Sequence, residues 1–580
     1  MSKIFEYMRP YAGMLFATAL LLFAEAMSAL ALPGFMADIV NDGVLPGNIS
    51  LIWSIGVVML LITLLSMIAA LGAGYFSARI STGVANDLRE AVFKKVLSFS
   101  NAEMNKFAVS SLITRTTNDI TQIQNTMMMA IRQLIYAPII GIGGIILALE
   151  RSVSMTWIIA LATITMVGIM TILFIIALPK FKSIQGLIDR MNTVSRENLS
   201  GILVVRAFST QRFEKARFDK ANKDLAETNL FVNTAFAFMT PAIWLILNLT
   251  TALTVWVGAR QASAFRIDIG DIFAFLQYGM LIIFAFLMVA IMFVLLPRAV
   301  VSAERVKEVL ETEGSIKYKP NPTHLPKKIK GSVEFKNVSF RYPDAQETDD
   351  NVLSDISFTA RPGKTTAIIG ATGSGKTTIF KLLLRFYDVS SGEILIDGID
   401  IRNIHKESLH DKIGFIPQKA LLFTGNIQSN LLYADKNATG QRIKNAAATA
   451  QAEAFIKSKP DGYDSIVSQG GSNFSGGQRQ RLSIARALVK DAPIYLFDDS
   501  FSALDLKTDA ALRAALKKKM GHATLLIIAQ RISSIMDADQ IIVLNNGKIA
   551  GLGTHAELMK KCKVYREIAA SQLSSKELGL

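Results

Sequence analysis

Two regimes of hydrophobic patterning divide the chain. From residue 11 to residue 297, apolar residues run in long blocks; from Arg298 onward they come in short bursts separated by charge, glycine and proline. A bilayer core of about 30 Å is crossed by about 20 apolar residues in helical form. Six blocks reach that scale, at 11–37, 51–76, 133–149, 155–178, 230–259 and 272–297. The second, fourth, fifth and sixth contain no Asp, Glu, Lys or Arg, so a helix facing lipid is expected for each.

The connections alternate in length and charge. Blocks one and two, three and four, and five and six meet in short loops. Two and three, and four and five, are each separated by a long basic stretch, with Arg79, Arg89, Lys94 and Lys95 in one and Lys180, Arg190, Arg206 and Arg217 in the other. Basic excess places both long connections inside. Leu88, Val92 and Val96 recur in the first at helical spacing. Both stretches therefore read as membrane helices continued into the cytoplasm for about 30–40 Å, turning near 107–112 and 208–213. Residues 1–10 read as a short amphipathic helix at the interface, and both termini are expected to be cytoplasmic. Glu25 is the only acid within an apolar block. Two readings stay open for it: a cation-binding or proton-coupling group, or a structural hydrogen bond near the outer leaflet. Met27, Met59, Met67, Met239, Met280, Met288 and Met292 are candidates to line an adaptable cavity.

Beyond residue 330 the periods are those of strands. Residues 333–335 and 338–340 read as strands, 366–369 as a buried strand, and 379–383 as a helix. Between the last two stands Gly370-Ala371-Thr372-Gly373-Ser374-Gly375-Lys376-Thr377, with Thr378 next. Strand, glycine loop and helix in that order form a phosphate-binding loop. Its glycines let backbone N–H groups close on phosphates, Lys376 brings a point charge, and Thr377 offers a hydroxyl to Mg2+. A second buried strand, 494–497, ends in Asp498 and Asp499, and Asp498 suits the acid that holds the same metal. ATP and Mg2+ are thus the expected cofactors. The net charge of +15 comes with no nucleic-acid-binding motif and follows from membrane topology. Cys562 is the only cysteine, which excludes a disulfide within the chain.

Between the two buried strands lies Phe474-Ser475-Gly476-Gly477-Gln478. This element resembles the signature of ATP-binding-cassette (ABC) proteins. The resemblance covers essentially the whole chain: six membrane helices followed by one cassette, as in ABC exporter half-transporters. It implies an α-helical polytopic membrane domain over 1–300, a linker over 301–330, and an α/β P-loop cassette over 331–580. It further implies that Tyr342 stacks on adenine, that Gln418 senses Mg2+ and touches the membrane domain, and that Asp505 ends a loop crossing to the partner cassette. Ser475, Gly476, Gly477 and Gln478 would close over the partner's ATP, while Tyr342, Gly370, Thr372, Gly373, Ser374, Gly375, Lys376, Thr377 and Thr378 would hold this chain's own.

Two positions depart from the family's pattern. Asp499 stands where a longer Glu normally orients water, and Gln530 where a histidine is usual; Gln469 also replaces a common Glu. The shortened carboxylate retreats by about 1.5 Å or less, and misplacement of that order costs roughly a hundredfold in rate. Glutamine still donates a hydrogen bond but cannot become a cation. Intact binding residues beside a weakened catalytic set resemble the degenerate half of heterodimeric exporters. The expected function is ATP-driven efflux of amphipathic drugs or lipids with a different second half-transporter. A homodimeric lipid or peptide exporter and an ATP-gated regulator are the alternatives.

Overall fold

The computed structural model describes residues 2–345 and 350–573; the last seven residues of the expected cassette lie outside these. The chain forms two compact bodies. One comprises Met1–Leu97 and Val109–Thr312, the other Ser98–Ala108 and Glu313–Leu580.

The first body is helical. Among the described residues six helices are long and apolar enough to cross a membrane: Ile4–Val44, Ile49–Leu97, Val109–Arg151, Thr156–Leu173, Gln211–Ser263 and Ile269–Glu311. Each contains the core of one expected block. The expected amphipathic start forms the helix Ser2–Met8. The expected helical continuation of the long arms is present. Ile49–Leu97 and Thr156–Ser200 are single helices, about 70 Å long at 1.5 Å per residue. The first turn differs from expectation. It falls over 98–108 rather than 107–112, because Ser100 and Glu103 form a capping box that starts a new short helix, Asn101–Lys106. The second turn is preceded by another short helix, Ile202–Ala207, and closes before Gln211.

Proline shapes the fifth crossing. Its helical path breaks at Phe238 between Gln211–Ala237 and Met239–Ser263, just before Pro241, which has no N–H to continue the ladder. Beside this break is an apolar cavity of about 520 Å3, lined by Met166, Met170, Phe236, Met239 and Phe286 among others. Of the seven methionines suggested by sequence, only Met239 lines it. Met292 is buried in packing, and Met27, Met67 and Met280 are exposed. Helices apolar all round carry no periodicity to fix their rotation, so which methionine faces inward is decided by packing.

At the short-loop end of this body, polar groups tie the helices together. Arg151 donates to Asp271 at 3.1 Å and to Asp38 at 3.2 Å. The Gly270 N–H donates to the Asn41 side-chain oxygen at 2.7 Å.

In the second body the strands are β1 (Val333–Phe340), β2 (Leu353–Ala360), β3 (Thr365–Gly370), β4 (Ser391–Ile396), β5 (Ile399–Asp400), β6 (Ile413–Ile416), β7 (Gly425–Asn426), β8 (Ile466–Val467), β9 (Ile494–Asp498), β10 (Thr524–Ile528), β11 (Gln540–Asn545) and β12 (Lys548–Gly553). An antiparallel sheet runs β2-β1-β4-β5, and a mostly parallel one β12-β11-β3-β10-β9-β6. The parallel strands are apolar on both faces, as burial on both sides requires. Ala367, Ile369, Tyr495, Phe497, Leu525 and Ile527 enter one core; Ile368, Ile494, Leu496, Leu526 and Ile528 enter the other. The short helix Asn101–Lys106 belongs to this body. Ala102 packs on its core, the Ser315 N–H donates to the Glu103 carboxylate at 2.8 Å, and Asn105 donates to the Tyr387 hydroxyl at 3.2 Å.

Candidate functional site

Four adjacent parallel strands bring the expected residues to one edge. β3 ends in the glycine loop, β10 leads to Gln530, β9 ends at Asp498, and β6 leads through Pro417 to Gln418. Open parallel sheets bind ligands at the carboxyl ends of their strands, so pattern and topology agree on the place.

The loop needs its glycines. Gly373 and Gly375 hold φ of +83° and +93°, and a Cβ on Gly375 would stand 2.6 Å from the Leu353 side chain. The turn delivers Lys376 and Thr377 into the first turn of the helix Lys376–Leu383. The Lys376 ammonium lies over the loop and donates to the Gly370 and Ala371 carbonyls at 2.8 and 2.7 Å. Burial pulls its pKa down, against the opposing fields of Asp499 and Asp498. Ser374 is buried, and its hydroxyl has no partner among the described residues. A buried hydroxyl without a partner, a cation held over backbone carbonyls and a helix amino terminus together suit a polyphosphate.

Thr377 donates to the Asp498 carboxylate at 3.0 Å. Burial raises the Asp498 pKa; the Thr377 bond opposes this and the neighbouring Asp499 charge adds to it. A hydroxyl beside a buried carboxylate is a hard-oxygen pair of the kind Mg2+ prefers.

Asp499 gathers the other two expected catalytic residues. Its carboxylate accepts from the Gln530 amide at 2.8 Å and from the Gln418 amide at 3.4 Å. Its backbone is left-handed, with φ of 47°, and its N–H donates to the Ile528 carbonyl at 2.9 Å. Burial again pushes the carboxyl pKa up, opposed first by hydrogen bonds from Gln418 and Ser502. The two positions that depart from the family's pattern are thus bonded to each other.

Tyr342 lies beside this loop. Its hydroxyl is 3.0 Å from that of Thr378, and its ring meets Phe340 and Tyr387 edge-on. Thr372 and Gly373 lie in the loop itself. Ser475 is the N-cap of the helix Gly476–Val489 and forms a capping box with Gln478. A Cβ on Gly477 would stand 3.3 Å from the Ala503 carbonyl. Asp505 caps the helix Leu506–Lys519 through the Thr508 N–H at 2.9 Å. Gln469 is exposed in a short turn.

Two contacts carry no short-range sequence signal. The Gln572 side chain accepts from the Ile532 N–H and donates to the Gln530 carbonyl, both at 2.8 Å. Buried Gln480, in the signature helix, donates to the Pro417 carbonyl at 3.4 Å. A cavity of about 630 Å3 between the helix Leu506–Lys519 and the opposite ends of β3 and β10 shares no residue with this site.

Comparison with known proteins agrees with this geometry. Residues 14–286 match the ABC transporter transmembrane region and 353–502 the ABC transporter cassette. An uncharacterized ABC transporter ATP-binding protein of Mycobacterium tuberculosis is 41% identical, over 99% of this chain and 98% of that one. An ATP-dependent lipid A-core flippase of Pseudomonas aeruginosa is 32% identical, over 98% and 96%. The structure of a bacterial Atm1-family ABC exporter with ATP bound superposes with a TM-score of 0.80 at 25% identity, covering 97% of this chain and 99% of that one. Membrane helices, cassette and relatives all point one way, and the chain belongs to the ABC transporter family, as an exporter half-transporter with an ATP-hydrolysing cassette.

Proposed function

We propose that this chain is the slow-site half of a heterodimeric exporter that moves amphipathic drugs or lipids across the cell membrane. The observation that carries the reading is the Asp499–Gln530 bond at 2.8 Å. A carboxylate one methylene short is tied to an amide that would otherwise be free to face a terminal phosphate, while every binding residue of the loop is retained. Such a site grips ATP and cleaves it slowly.

In this reading Lys376, Ser374 and the loop N–H groups hold the phosphates, and Tyr342 carries the adenine. Thr377, Asp498 and Gln418 would hold Mg2+, which would supply charge neutralisation for the phosphates. Ser475, Gly476, Gly477, Gln478 and Asp505 serve the partner's ATP. The partner carries Glu and His at the positions of Asp499 and Gln530, and a damaged signature. Residues 1–300 form the membrane domain, 301–330 the linker and 331–580 the cassette, with the cassette and both termini on the cytoplasmic side. The flippase relative and the apolar cavity beside Pro241 support an amphipathic cargo.

The experiment is to purify the full-length chain with and without its co-purifying subunit and measure ATP turnover by each. Slow turnover alone and fast turnover in the pair are expected. Fast hydrolysis by a homodimer, with both sites trapping vanadate equally, overturns the reading.

A further inference from the structure

Glu25 has no place in the nucleotide site. It lies midway along the helix Ala12–Asp38, about 20 Å from either end. That depth argues against a bond near the outer leaflet. One of its carboxylate oxygens is buried without a hydrogen-bond partner among the described residues. On the helix Ile120–Arg151, the Gln133 side-chain carbonyl is buried and likewise has no partner among the described residues. Arg132 is the cation whose field reaches Glu25, and the Tyr136 phenol feels both. The two helices meet through Ala26, Leu30, Ala137 and Ile140, with Tyr136 packed against that cluster.

Charge inside a membrane domain is costly, and direct pairing is its simplest relief. This chain holds both signs yet keeps them apart. Among the described residues, Glu25 and Arg132 form no ion pair within 4 Å, although the field of Arg132, an exposed side chain, reaches Glu25. Each therefore keeps capacity for a ligand. Side by side they sum to zero charge, so a ligand of net charge leaves one of them uncompensated, whereas a ligand carrying both signs satisfies both. The Tyr136 ring adds a face for a cation, and the Gln133 oxygen an acceptor.

We propose that Glu25, Arg132, Gln133 and Tyr136 form a headgroup subsite for a zwitterionic amphiphile. Its ammonium lies toward Glu25, Tyr136 and the Gln133 oxygen, and its phosphate or carboxylate toward Arg132. The proposal rests on the export reading above and narrows its cargo class.

The test is binding to the full-length chain with its co-purifying subunit, in an uncharged maltoside detergent. Three probes share one acyl-labelled diacyl body and differ only in head: phosphoethanolamine, phosphoglycerol and trimethylammonium. The zwitterion is expected to bind about tenfold more tightly than either other probe. Glu25→Gln should move the preference to the anionic probe and Arg132→Gln to the cationic one, each by about tenfold. Glu25→Asp and Arg132→Lys should keep the original order and so separate charge from folding. An order of preference unchanged by both neutral variants overturns the subsite, as does wild-type protein that binds all three alike. Glycerophosphoethanolamine competing as strongly as the lipid overturns the amphiphile and leaves a soluble zwitterion. ATP-driven movement of the bound probe into vesicles tests export separately: selective binding without transport defeats the export reading and leaves the subsite standing.

Discussion

Asp499 is held by its backbone as much as by its neighbours. A left-handed φ of 47° is tolerated by Asp far better than by longer side chains. Asp499→Glu should therefore exchange stability for reach. Single-turnover hydrolysis at this site is expected to rise about ten- to a hundredfold, and the melting temperature to fall by about 2–4 °C per kcal/mol of backbone strain. Rapid quench with the partner's site silenced measures the first effect. An unchanged rate would show that Gln530 or the partner's signature limits instead; adding Gln530→His should then restore more than the sum of the single changes. The residue before it makes the opposite exchange. Burial holds the Asp498 carboxyl above its usual range, so its charged form destabilises the folded cassette at neutral pH. That penalty is relieved as pH falls through the raised value. Asp498→Asn should melt about 2–4 °C higher at pH 7 for each kcal/mol relieved, lose that advantage on acidification, and hydrolyse no ATP. A thermal-melt series across pH decides it, and a lower melting temperature at pH 7 sinks the argument. Both residues were legible in the sequence by type and spacing. The bond from Gln530 to Asp499 was not, because it joins side chains 31 residues apart, just past the ends of the consecutive strands β9 and β10, and no local pattern specifies how they meet.

Elements built from local contacts were read most faithfully. The glycine loop joins β3 to its helix within a few residues, so period, turn chemistry and cap all speak in one window. The six crossings were equally plain, because hydrocarbon demands length and apolarity irrespective of context. The first turn falls over 98–108 and not 107–112 because its capping box, Ser100 with Glu103, overrides the apolar period that continues through Phe99. The tail following the helix Lys563–Ala570 is the clearest omission. Gln572 clamps the backbone on both sides of Arg531 by two bonds of 2.8 Å, and nothing near it in sequence hints at that partner. Losing the clamp should free the segment that carries Gln530. Gln572→Ala is expected to lower single-turnover hydrolysis at this chain's own site about three- to tenfold with nucleotide affinity unchanged. Gln572→Glu, which keeps acceptance from Ile532 but cannot donate to Gln530, should fall between. Equal loss of affinity and turnover would mark the tail as a general packing element rather than a positioning one.

Transport by alternating access requires helix ends that can join and part, and the short-loop end of the membrane domain carries a measurable contact of that kind. Arg151 joins the ends of three membrane helices through Asp38 and Asp271. Neither pair is deeply buried, so each contributes about 0.2–1 kcal/mol, but they share a single guanidinium. Removing it deletes both bonds and leaves two carboxylates facing each other across the gap. Together the lost attraction and new repulsion amount to about 1–2 kcal/mol, a five- to thirtyfold shift between states with the helix ends joined and parted. Arg151→Gln should raise the parted population by that factor, read as a longer distance by pulsed electron resonance between spin labels at Asn48 and Val153, with buried Cys562 replaced by Ser. The repulsive part is separable. Adding Asp38→Asn and Asp271→Asn to Arg151→Gln removes the facing charges, so the triple variant should return part of the way to the joined state. A distance distribution indifferent to all three changes would mean that these side chains follow the helices instead of holding them, and the latch would then have to be sought in the Asn41–Gly270 bond or the apolar packing around Tyr278.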